Sequence, residues 1–152
     1  MIERGADFRL KDVFGRNAII YGAKCKDIEL MKKFIKTKED VNVEDYLGFS
    51  PLWMAVLGGD SKMVEFLVSV GADINVKSVA GITPLGIAIR NNDLEMIRVL
   101  IRNGVSFKFF NVKEKEFFLR ADESVRKVVF EEMKKRNKVL KFFVKKEMVK
   151  SV

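Results

Sequence analysis

The sequence predicts an all-α solenoid built from repeated two-helix units that stack side by side, and three observations predict it. Gly15, Gly48 and Gly81 stand 33 residues apart, and the segments around them align without a gap. The only two prolines in the chain, Pro51 and Pro84, fall in the same register. A second glycine lattice, Gly71 and Gly104 with Gly5 in phase, lies 23 residues further on, with Lys38 replacing glycine once. A period of this length marks a repeat architecture, in which one unit cannot bury its apolar faces alone and must stack on a neighbour.

By phase, residues 1–11 hold only the tail of a unit, so we expect either a fragment of a longer protein or a partner over the N-terminal face, and favour the fragment. Units follow at 12–44, 45–77 and 78–110. Their first helices are expected at roughly 18–25, 51–58 and 84–91. Ser50-Pro51 and Thr83-Pro84 start two of them, because a hydroxyl accepts from orphan backbone N–H groups and proline suits the first helical position. Asp27, Asp60 and Asp93 recur as caps of the second helices. Those helices carry apolar residues at helical spacing: Leu30, Met31, Phe34 and Ile35; Met63, Val64, Leu67 and Val68; Met96, Ile97, Leu100 and Ile101. Gly71 and Gly104 end the last two in the left-handed conformation that glycine tolerates. Residues 111–152 read as a degenerate repeat, with helices near 114–121 and 124–136, closed by a basic cap helix near 139–149 that carries Val139, Leu140, Phe143 and Met148. The whole of 1–152 is then one domain.

Composition narrows the chemistry. Hydrophobic residues are 48% and charged residues 33% of the 152, the balance of a folded chain. No apolar run reaches membrane-spanning length, and the first residues contain no signal-peptide core, so a cytoplasmic protein is expected. The chain has one cysteine, Cys25, and no histidine. That excludes an intrachain disulfide, Ser-His-Asp and Cys-His catalysis, and imidazole-bound zinc. Cys25 lies between Lys24 and Lys26, but no base accompanies it. Gly58-Gly59 follows a helix and lacks the Gly-Lys-Ser/Thr pattern of a phosphate loop. No catalytic, cofactor-binding or metal-binding residue is expected, and the chain is read as not an enzyme.

The segments Gly48-Phe49-Ser50-Pro51-Leu52, Gly81-Ile82-Thr83-Pro84-Leu85 and Gly71-Ala72-Asp73-Ile74-Asn75, set in a 33-residue period, resemble ankyrin repeats. The resemblance is strongest over 45–108, weaker over 12–44 and weakest beyond 110. It implies an ankyrin-repeat solenoid with a β-turn finger and two antiparallel helices per repeat, in a curved stack used for protein recognition. Departures are visible. Where the family usually carries histidine after Pro-Leu, this chain has Ile20, Trp53 and Gly86, so the histidine bonds between repeats are expected to be missing, with hydrophobic contact in their place. Asn17-Ala18 replaces the Thr-Pro pair, which predicts a looser first repeat.

These readings converge on a protein–protein interaction module. Its expected contact residues are the finger tips, Val13-Phe14, Tyr46-Leu47 and Val79-Ala80, followed by Arg16, Phe49 and Ile82. On the concave face of the inner helices, Tyr21, Lys24, Trp53, Met54, Leu57, Ile87 and Arg90 are expected to point outward. A contiguous apolar row on a protein surface marks an interaction site, and Trp, Tyr and Arg dominate interface energetics. The competing reading packs these residues against neighbouring fingers, Trp53 above all. A second function is weighed beside the first. Residues 108–152 hold fourteen Lys/Arg against seven Asp/Glu, so the net charge of +8 lies mostly there. Arg126, Lys127, Lys134, Lys135, Arg136, Lys138, Lys141, Lys145 and Lys146 could attract nucleic acid or another polyanion. Against that stands a solvated cap surface, since no nucleic-acid-binding motif accompanies the charge.

Overall fold

A computed structural model describes residues 7–107 and 111–136. Among them the regular structure is entirely helical, with no strand. Seven of the helices fall in the first three repeats: α1 (Ala18–Lys24), α2 (Ile28–Phe34), α3 (Lys38–Val41), α4 (Pro51–Leu57), α5 (Ser61–Ser69), α6 (Pro84–Arg90) and α7 (Leu94–Arg102). Two more follow, α8 (Val112–Arg120) and α9 (Glu123–Arg136). The helices form two rows. The first helices α1, α4, α6 and α8 pack in succession, and α5, α7 and α9 pack in a second row behind them. The closing helix expected at 139–149, and residues 1–6 of the N-terminal tail, lie outside the described residues.

The helix starts follow from side-chain chemistry. Ser50 accepts from the Trp53 N–H at 3.2 Å, and Thr83 accepts from the Gly86 N–H at 3.1 Å. Asp27, Asp60 and Asp93 each accept from the third residue of their helix, at 2.9, 3.1 and 3.0 Å. Such a cap contributes about 1 kcal/mol. Asn17 takes the place of Thr-Pro, accepting from both Ile19 N–H and Ile20 N–H at 3.1 Å. The expected loosening is not seen in the helix itself: α1 has seven residues, like α4 and α6.

One core runs through the stack. Ile19, Leu52 and Leu85 occupy one repeat position, and Met31, Val64 and Ile97 another, all of them buried. Phe118, Ala121 and Met133 continue the core into the last repeat. Within each helix pair the turn demands a left-handed residue. Gly59 fills it at φ 68°, but Lys26 and Asn92 hold the same place at 62° and 52°. An L-residue there costs about 1–2 kcal/mol.

Two elements depart from expectation. Where Lys38 replaces the terminating glycine, the chain makes the extra turn α3, capped by Thr37. Asp40 in that turn is buried and pairs with Arg9 at 2.9 Å. In the last repeat, α8 begins at Val112, five residues ahead of the phase set by Ala18, Pro51 and Pro84. Asn111 caps it early, in a reciprocal arrangement with Glu114, so the segment that would have formed a fourth finger tip is helix.

Candidate protein-binding surface

Each finger is a tight turn organised by its first residue. Asp12 accepts from the N–H groups of Phe14 and Arg16 at 2.8 and 2.9 Å. Asp45 does the same for Leu47 and Phe49, both at 2.9 Å. Ser78 repeats the pattern more weakly, accepting from the Ile82 N–H at 3.3 Å. With its polar groups consumed by the turn, each finger leaves its two tip residues exposed, and the Tyr46 ring lies over Gly15 of the preceding finger. Adjacent fingers are tied backbone to backbone: the Tyr46 N–H donates to the Phe14 carbonyl at 3.0 Å, and the Val79 N–H to the Leu47 carbonyl at 2.9 Å. Gly48 is obligatory in this ladder. It adopts φ +76°, and a Cβ there would lie 3.0 Å from the Lys77 carbonyl of the next finger.

The result is a row of exposed apolar side chains at repeat spacing. Val13 is 84% exposed, Phe14 60%, Tyr46 67%, Leu47 50% and Val79 73%. Behind them on the first-helix row, Tyr21, Lys24, Leu57 and Arg90 are also exposed. Arg16, Asp45 and Asp12 at the base of the row have partners. Arg16 Nε donates to Asp45 Oδ2 at 2.9 Å, bridging fingers one and two, and its guanidinium sits 5.6 Å from the Phe14 ring. The Tyr21 hydroxyl donates to Asp12 at 2.6 Å. That bond, with the Arg16 and Phe14 N–H groups, holds the Asp12 carboxyl below its ordinary range and pushes the Tyr21 phenol up. At Asp40 burial pushes the carboxyl up, but Arg9 and the Lys36 and Thr37 N–H groups outweigh it and the net direction is down.

Several expected contact residues are not on this surface. Trp53, Met54 and Ile87 are buried, which corrects the expectation that they point outward. Phe49 is half-buried because its ring stacks on Trp53, with centroids 4.0 Å apart. Ile82 is half-buried too, and its carbonyl accepts from Trp53 Nε1 at 3.3 Å. The expectation of purely hydrophobic contact in place of histidine is therefore also corrected. One repeat position, occupied by Ile20, Trp53 and Gly86, is polar in the second repeat through the indole. At the third, Gly86 leaves a hole that the next repeat fills. Glu114 reaches in, and its Oε1 accepts from the Thr83 N–H at 2.7 Å and the Thr83 hydroxyl at 2.5 Å.

Among the described residues of the basic C-terminal cluster, three are paired along α9. Lys134 pairs with Glu131, and Lys135 and Arg136 pair with Glu132. Arg136 also donates to the Ile101 and Val105 carbonyls at 2.7 and 2.8 Å, closing the end of α7. Arg126 lies 3.5 Å from the Leu119 carbonyl. Lys127 is exposed, and Lys138, Lys141, Lys145 and Lys146 lie outside the described residues. Cys25 is exposed. Among the described residues no cluster of His, Cys, Asp and Glu could hold a metal ion, and no helix is long and apolar enough to cross a membrane.

Comparison with known families agrees with this geometry. A family model described as "Ankyrin repeats (3 copies)" matches residues 1–78, and a second, "Ankyrin repeats (many copies)", matches residues 62–101. The comparison with curated proteins finds no match.

Proposed function

The chain belongs to the ankyrin-repeat family, and from that we propose that it is a non-catalytic module that seats a protein partner on its apolar finger tips and the adjoining concave face of the first helices. Ankyrin repeats are in general protein–protein interaction modules. The observation that carries the reading here is the unbroken series Val13, Phe14, Tyr46, Leu47 and Val79, each at least half exposed on a rigid, hydrogen-bonded tip. An apolar patch of this kind is costly to leave in water, and its burial by a partner returns about 25 cal/mol per Å² before ordering costs are met. Leu57, Tyr21 and Arg90 extend the patch, and Arg16 frames it.

The experiment is capture from native extract on the immobilised chain, with identification of what is retained. Tyr46→Ser with Leu47→Ser removes both apolar side chains of the second tip and leaves the core intact. We expect retention of the partner to be lost while the far-ultraviolet helical signal is unchanged. If the double variant retains the same partner, the tips are not the surface used. The basic C-terminal helices as a polyanion site receive no such support, since most of their described cations are already paired.

A further inference from the structure

The second-helix row carries a feature that neither the repeat architecture nor the finger surface uses. An open groove of about 590 Å³ lies between α7 and α9. Its apolar lining is Leu94 and Ile101 from α7 and Val128 from α9, all half-buried. Leu94 and Ile101 are seven residues apart and so share one stripe of α7. Arg98 stands between them on the same helix, and Lys127 lines the groove from α9.

These two cations differ from the other charges of the groove. Four basic and two acidic side chains line the groove. Arg102 is engaged with Glu65 of α5 at 2.7 Å. Glu131 and Glu132 are engaged with Lys134, Lys135 and Arg136 along α9. Arg98 and Lys127 have no ion-pair partner among the described residues, and both are exposed. The groove therefore presents two unspent positive charges beside an apolar lining, with its own carboxylates already neutralised.

We propose that this groove is a second docking site, for a short acidic peptide segment of a protein partner. Carboxylates of the segment pair with Arg98 and Lys127, and an apolar anchor lies against Leu94, Ile101 and Val128. The length fits: from Leu94 to Arg102 α7 rises about 12 Å, two turns of a helix laid alongside. None of the lining residues belongs to a finger or to a first helix, so the site is independent of the tip surface.

The test uses the full chain and a fluorescein-labelled amphipathic peptide composed of Glu, Leu and Ala, read by anisotropy. We expect saturable binding that weakens about tenfold or more in Arg98→Glu/Lys127→Glu, since each decade is about 1.4 kcal/mol and reversed charges repel. Tyr46→Ser/Leu47→Ser should bind the peptide as the parent does. If the charge-reversed pair lowers the melting temperature, Arg98→Ser/Lys127→Ser is read in its place. Hydrogen exchange should slow in α7 and α9 on adding peptide. Equal binding by the Arg98/Lys127 variants, equal binding of a Gln-for-Glu peptide, or protection confined to the fingers would each overturn the proposal. So would displacement of the peptide from α7 and α9 by heparin at trace concentration, which would make the groove a polyanion site.

Discussion

Replacing Gly86 with alanine should destabilise the protein only while Glu114 is present. Gly86 lies in α6, where alanine is favoured over glycine by about 1 kcal/mol. In this fold, however, the added methyl would meet the Glu114 side chain, with Cγ and Cδ at 2.8 and 2.9 Å and a carboxylate oxygen closer still. Glu114 is 1% exposed and held by Thr83 and Asn111, so it has little room to move. Overpacking of this kind costs about 1–3 kcal/mol, which cancels or exceeds the helical gain. Glu114→Ala alone strands the Thr83 N–H and hydroxyl in a buried place, at about 1–3 kcal/mol per stranded donor; about 3 kcal/mol in all is expected. In the Glu114→Ala background the collision is gone, and Gly86→Ala should become stabilising by about 1 kcal/mol. The double-mutant cycle then shows coupling of about 2 kcal/mol. Urea unfolding followed by far-ultraviolet circular dichroism and by Trp53 fluorescence measures all four corners. If Gly86→Ala shifts stability by the same amount with and without Glu114, the carboxylate does not fill the glycine's hole and this account of the third interface is wrong.

Three further outcomes follow from the same structure. Lys26→Gly relieves a left-handed lysine at φ 62° and should stabilise by up to about 1 kcal/mol in thermal unfolding, whereas Gly59→Ala, at the equivalent turn, should destabilise. The Asp12 and Asp40 carboxyls titrate below their ordinary values in the fold; their stabilisation is complete above the unfolded value near 4 and is lost as the pH falls through the lowered folded values. Stability measured across that acid range should decline, and Asp40→Asn should flatten part of the decline; an unchanged slope would contradict the Arg9–Asp40 geometry. Arg136→Ala frees the Ile101 and Val105 carbonyls and should cost about 1–2 kcal/mol, seen as a lower urea midpoint and faster exchange at the end of α7.

What the sequence made legible was whatever depends on local chemistry repeated at fixed spacing. The caps at Ser50, Thr83, Asp27, Asp60 and Asp93 need only a short side chain placed before an apolar stripe, so period and residue type were enough. The same spacing placed the finger tips. It did not say that Asp12 and Asp45 shape each turn, although each immediately precedes a pair of tip residues. For Trp53 the sequence leaves outward and packed positions both open, because its burial depends on a carbonyl 29 residues away, at Ile82, and on the ring of Phe49. An indole on an inner helix looks the same in sequence whether it faces solvent or the next repeat. Glu114 was missed for a similar reason. Its helix starts out of phase with the repeat, and the hole it enters exists only because Gly86 has no side chain. The early α8 and the added α3 both lie where a repeat signal is absent, at residues 110–113 and at Lys38, and there local capping by Asn111 and Thr37 decides the backbone.

The measurement that bears most directly on the account is hydroxyl-radical footprinting of the chain alone and bound to the protein it retains. Oxidation of Phe14, Tyr46 and Leu47 should fall sharply in the complex, while Phe66 and Phe130, half-buried on the second-helix row, react as before. Tip residues that oxidise at the same rate in both states would contradict it.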